Sequence, residues 1–177
     1  AVTLVKDTQQ VLPLDPLKQP RILLYIFGDR GGYFGDGAAP VFKEMLEKAG
    51  FQVDVFDKDA MRFAYIDISV EEITQEYDAA IYFANIEPAS NKTTLRVEWN
   101  MPMASDMPWF LHDLPTIGIS VASPYLLEDM PMLKTLVNGY SGNCYVLQAI
   151  VDKITGQSEF KGRSPVDPFC GQWQARL

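Results

Sequence analysis

The sequence is poor in the residues that build metal centres and disulfide frameworks. It has one histidine, His112, and two cysteines, Cys144 and Cys170, in 177 residues. One imidazole and two distant thiols offer no ligand spacing, so neither a metal site nor a cofactor is expected. Two cysteines make no disulfide framework and leave the redox compartment open. Basic charge is also scarce. Fifteen Lys and Arg against 23 Asp and Glu leave a net charge of −8, which argues against nucleic acid, whose phosphates need a dense Lys/Arg footprint. Long apolar runs are missing too. Ile22–Phe27 and Ala79–Phe83 fall far short of the ~20 residues a membrane span requires. The N-terminus, Ala1–Asp7, has no basic n-region, no long apolar stretch and no initiator Met. No signal peptide is visible, and the start fits a processed chain or a piece of a longer protein.

What remains is the composition of a globular protein, 47% hydrophobic and 21% charged, with a length that implies one domain. Val2 to Val5 reads as a short edge strand running into a Pro-rich connector, Leu12–Pro16, because proline ends pairing. Arg21–Phe27 is a continuous apolar run of the kind buried on both faces of a parallel sheet. A Gly-rich loop, Gly28–Gly37, follows it. Val41, Phe42, Met45 and Leu46 then repeat at helical spacing, with Ala49-Gly50 as the stop. Phe51–Phe56 reads as a strand with Val53 and Val55 on one face. Ser69 and Glu72 have the spacing of a capping box opening a short helix. Asp78–Ile86, Pro115–Val121 and Met132–Val137 read as strands. Asn91–Asp113, rich in Pro and Trp, reads as a long loop with short elements at most. Asn143–Ile154 reads as a helix whose apolar face holds Tyr145, Val146, Ala149, Ile150 and Ile154. About five alternations of strand and helix predict a three-layer α/β/α domain over 1–177, with a mainly parallel wound sheet of about five to six strands.

Ligands of such sheets bind beyond the carboxyl ends of the strands, so the Gly28–Gly37 loop is the first candidate site. Its glycines fit neither G-x-G-x-x-G nor a Walker sequence, and Asp29 and Asp36 repel anions. It reads instead as a flexible loop, or as a contact loop anchored by Arg30, Tyr33 and Phe34. Trp99 and Trp109 stand in the long loop, where such large apolar side chains either fold into a core or cover a partner surface, a sugar among the candidates. Cys144 lies between a strand and a helix, where a nucleophile elbow would sit. Val146 occupies the position that needs a small residue, and His112 precedes Cys144, so a buried structural cysteine is the expected reading. Glu71 and Glu72 fit helix capping better than acid–base work, and Glu87 and Glu98 read as solvated carboxylates.

The C-terminal part is more specific. Ile154–Asp167 resembles the closing segment of the second domain of family 3 glycoside hydrolases, in which a helix ends at a Gly, a Gly-Lys/Arg follows six residues later, and a Pro-Val comes next. Gly156, Gly162-Arg163 and Pro165-Val166 reproduce that order. Ser164 stands where many members carry Leu. Asp167–Gly171 looks like the β-N-acetylglucosaminidase branch, as do Ser120–Leu126, and Leu12–Leu14 looks like the opening of the domain. The resemblance implies a flavodoxin-like C-terminal accessory domain of a retaining glycosidase. It would pack against an N-terminal (β/α)₈ barrel, which needs ~250 residues of its own and would carry the nucleophile and the carbohydrate substrate. No catalytic residue is carried over, and the isolated chain is expected to be inactive. Asp29, Arg30, Tyr33, Phe34, Trp99 and Trp109 are the expected interface or sugar-site wall. The family resemblance allows a secreted or cell-envelope location. The alternative is a stand-alone α/β module that binds a small ligand at its strand ends. A cysteine hydrolase using Cys144 and His112 is a third reading.

Overall fold

In the computed structural model, residues 1–29, 37–57, 68–88, 90, 95–100 and 104–177 are described. Among them the chain runs β1 (Thr3–Asp7), β2 (Arg21–Phe27), α1 (Ala38–Lys48), β3 (Gln52–Val55), α2 (Val70–Glu76), β4 (Ala79–Ala84), β5 (Thr116–Ser120), β6 (Thr135–Asn138) and α3 (Cys144–Ile154). Short 3-10 turns cover Leu126–Glu128 and Gln174–Arg176. The six strands form one sheet in the order β1-β6-β5-β4-β2-β3. β1 runs antiparallel to β6, and the other neighbours are parallel. The chain winds outward from β2 to β3, returns past β2 to β4, and then winds the other way. That reversal lies between β2 and β4.

Each face of the sheet has its own core. β2 contributes Ile22 and Leu24 to one face, where α1 packs with Phe42 and Leu46, and α3 with Leu147, Ile150 and Ile154. Leu23, Tyr25 and Phe27 point to the other, covered by Ile73 of α2, by Phe110, Leu111 and Leu114, and by Leu126, Leu127, Met130 and Leu133. This double burial is why the central strands read as unbroken apolar runs. Tyr25 stacks between Tyr82, at 4.4 Å, and Phe56, at 4.6 Å between ring centroids.

Three expectations need revision. Strand and helix do not alternate throughout, because the β4–β5 and β5–β6 crossovers contain no α-helix among their described residues. Pro108, Pro115, Pro124 and Pro131 interrupt those stretches, and their apolar side chains cover the sheet from turns. The apolar face of α3 is rotated: Tyr145 is 85% exposed, and the buried residues are Leu147, Ile150, Val151 and Ile154. Cys144, expected to be buried, is exposed in the first turn of that helix. The capping box is formed as expected, with Ser69 Oγ accepting from Glu72 N–H at 3.2 Å and Glu72 Oε2 accepting from Ser69 N–H at 2.7 Å.

Candidate functional site

The reversal between β2 and β4 places two strand exits side by side at the carboxyl end of the sheet, the position where wound α/β domains bind ligands. Here that crevice is closed by the chain itself. Gly28 has φ +69°, and a Cβ on it would lie 2.8 Å from Ile86 Cγ1 and 3.0 Å from the Asn85 carbonyl oxygen. The next residue, Asp29, accepts hydrogen bonds from Ala38 N–H (2.9 Å), Ala39 N–H (2.8 Å) and Asn85 Nδ2 (2.7 Å). The residue at the start of α1 is Gly37, which has no side chain to cap with. Asp29 therefore caps the helix from upstream, placing a negative charge at the positive end of its dipole. The helix terminus that could hold a phosphate is filled by a carboxylate.

α3 begins close by. A Cβ on Gly142 would lie 3.0 Å from Ala38 Cβ and 3.8 Å from Asn85 Nδ2, so the lead-in to α3 meets the start of α1. Asn143 caps α3 by accepting from Val146 N–H at 3.0 Å. Cys144 is therefore on the α1–α3 side of the sheet. His112 lies between Leu111 and Leu114, which are buried in the core of the opposite face. It precedes β5 while Cys144 follows β6, so a strand length of ~16 Å also separates them. The fold denies this pair the contact that a Cys–His dyad requires.

A shallow depression lies at the exits of β4 and β5, with room for about one water molecule. Ala84, Ile86 and Ser120 form its floor, Leu95 and Val97 one wall, and Ser123, Tyr125 and Leu126 the other. Asp129 fastens the two walls, taking the Arg96 guanidinium and accepting from Val97 N–H at 2.7 Å. Ser120 Oγ donates to the Ser123 carbonyl at 2.5 Å. At that size it holds no sugar ring, and it presents no nucleophile beside a base. Among the described residues no group of three or more His, Cys, Asp or Glu is arranged to hold a metal ion, and no helix is long and apolar enough to cross a membrane.

The comparisons with known proteins fall on one kind of enzyme. A "Beta-N-acetylglucosaminidase/beta-glucosidase" from Cellulomonas fimi is 35% identical over the whole of this chain, which covers 32% of that protein. A solved beta-glucoside phosphorylase is 38% identical with a TM-score of 0.84, covering 99% of this chain and 31% of its own. The chain matches the C-terminal part of family 3 glycoside hydrolases. A family 3 beta-N-acetylglucosaminidase from Paenibacillus sp. str. FPU-7 shares the fold at 16% identity, with a TM-score of 0.59 over 92% of this chain. No family model matches the chain. It spans about a third of the length of the first two relatives.

Of the residues singled out in the sequence, the structure brings Asp29 and Trp99 to the carboxyl-end rim. Trp99 is half-buried, with its ring edge-on to Phe27, the last residue of β2, at 5.6 Å. Trp109 is 39% exposed and meets Phe110 at 5.2 Å, and Phe110 packs at 6.2 Å on Tyr25 of β2. Arg30, Tyr33 and Phe34 lie outside the described residues. Sequence reasoning missed Asn85 and Asn138, whose Oδ1 atoms are buried without a hydrogen-bond partner among the described residues. It also missed Ser123 and Tyr125, which line the depression. Their segment was noticed only as a family likeness, and no local pattern marks a residue whose partner lies on another strand.

Proposed function

We propose that the chain is the C-terminal accessory domain of a family 3 enzyme acting on β-linked N-acetylglucosamine or glucose, and that it packs against a catalytic (β/α)₈ barrel and stabilises it. The observation that carries this reading is the coverage. Two relatives named for β-glycoside chemistry match the chain from end to end at 35% and 38% identity, yet it makes up only 32% and 31% of their lengths. A barrel of ~250 residues fits in what remains of such a chain. Family membership implies a retaining, two-step reaction through a covalent glycosyl-enzyme, with the nucleophile on the barrel. Asp29, Arg30, Tyr33, Phe34 and Trp99 are the proposed wall of the sugar site, with Trp109 as a separate contact. One relative is named a glycosidase and the other a phosphorylase, so water and inorganic phosphate are both candidate acceptors.

The test assays the purified 177-residue chain on aryl N-acetyl-β-glucosaminide and aryl β-glucoside, with and without phosphate. No turnover is expected from the chain alone, and turnover is expected from the native gene product that carries it, at a mass at least twice 19.9 kDa. Turnover by the isolated chain, or a native product near 20 kDa, overturns the reading. The competing reading, a free-standing module for a small ligand, needs a wider site than the water-sized depression at the exits of β4 and β5. Saturable stabilisation of the isolated chain by N-acetylglucosamine or glucose would support it.

A further inference from the structure

The two edges of the sheet differ. In β3 the side chains of Gln52, Asp54 and Val55 are exposed and only Val53 is buried. In β1, which also pairs on one side only, no residue is exposed. The chain after α3 accounts for the difference. Phe160 packs against the core beneath α1 and α3. Phe169 packs against the core of the opposite face, and Ala175 is buried within it. To pass from one face to the other, the chain crosses the outer edge of β1. At that crossing a Cβ on Gly162 would lie 2.4 Å from the Val2 carbonyl oxygen and 3.0 Å from Thr3 Oγ1, so only a hydrogen fits. Past the crossing, Lys6 Nζ donates to the Ala175 carbonyl at 2.5 Å. The turn is closed by Arg176, which lies 4.1 Å over the Phe169 ring and 3.2 Å from Asp167 Oδ1.

We propose that residues 157–177 are a strap guarding the outer edge of β1, seated by Gly162 against Val2 and latched by Lys6 to Ala175, and that unseating it lets β1 pair with a second copy of the chain. A bare edge strand carries a row of unpaired N–H and C=O groups that templates pairing with another molecule. The second half of β1 has other defences, an irregularity in its pairing between Leu4 and Lys6 and the inward-pointing Lys6 charge. The first half, Val2 to Leu4, has neither, and it is the half that Gly162 crosses. Two such edges brought together antiparallel would form a closed two-fold pair.

The test compares the wild-type 177-residue chain with Gly162→Val by amide hydrogen exchange and light scattering. Exchange at Thr3 and Leu4 should rise at least tenfold in the variant, while β4 amides stay protected. Its mass should rise with concentration where that of the wild type does not. A second form, with a protease site placed at residues 157–158 and cut after folding, keeps the test decisive if Gly162→Val does not fold. Cutting should make the Lys6 amine more reactive to acylation, together with the same self-association. Unchanged β1 exchange overturns the proposal. So does a loosened β1 in a chain that gains no mass at any concentration.

Discussion

Asp29 and Asn85 are joined by a 2.7 Å hydrogen bond across the exits of β2 and β4, while the same carboxylate caps α1 through Ala38 and Ala39. One side chain thus fastens the first crossover helix to the point where the sheet winding reverses. Asp29→Ala removes the cap and leaves two helix N–H groups without a side-chain partner. The expected loss is about 1–2 kcal/mol, read as a lower urea midpoint. An unchanged midpoint would mean that α1 finds another partner for its first turn.

Gly28 precedes that carboxylate and is held at φ +69°. An alanine there meets both an unfavourable backbone conformation and the Ile86 side chain at 2.8 Å. Gly28→Ala is expected to destabilise the chain by about 1–3 kcal/mol. Thermal or urea unfolding of the variant measures this, and a loss of less than a few tenths would show that the β2 exit relaxes freely.

Arg21 and Asp78 tie the starts of β2 and β4, with guanidinium contacts of 2.7 and 3.1 Å and a further 2.8 Å bond from Arg21 N–H. The hydrogen bonds from the Arg21 side chain, and then its backbone bond and charge, hold the Asp78 carboxyl below its ordinary value near 3.8, with burial opposing. A carboxyl depressed in the folded state contributes stability above its unfolded value and loses it as pH falls through the folded one. The wild type should therefore lose melting temperature below about pH 4 more steeply than Asp78→Asn. Parallel acid profiles for the two proteins would contradict the pairing.

Lys6 gives the opposite pH signature. Burial, and secondarily the charge of Lys134, lower its ammonium from 10.5 to about 8. Between those values the unfolded chain holds a proton that the folded chain has released, so folding stability rises with pH across that window and levels off above it. Lys6→Met should remove this rise. Urea midpoints at pH 7.5 and 10 measure it, and an equal rise in both proteins would show that Lys6 is charged in the fold.

Local pattern carried much of the architecture. Ile22–Phe27 announced a doubly covered strand because its run of apolar and aromatic residues is unbroken. Ser69 and Glu72 announced a helix start because a capping box closes within four residues. The order Gly156, Gly162, Pro165 pointed to a family because those residues are close in sequence. The rotation of α3 was not legible, since Tyr145 and Leu147 are both apolar and only the position of α1 decides which is buried. Nor was the crossover layer after β4, where apolar residues among prolines cover the sheet with no α-helix among the described residues.

The amino-acid sequence by itself determined the strands, the helices and a mainly parallel sheet, because these follow from periodicity and from chemistry within a few residues. Only the tertiary structure decided that Asp29 serves as a helix cap, that His112 and Cys144 lie on opposite faces, and that the tail crosses β1 at Gly162. Each of these joins residues far apart in the chain or in space. Such contacts depend on how complete elements pack, and no local spacing encodes them.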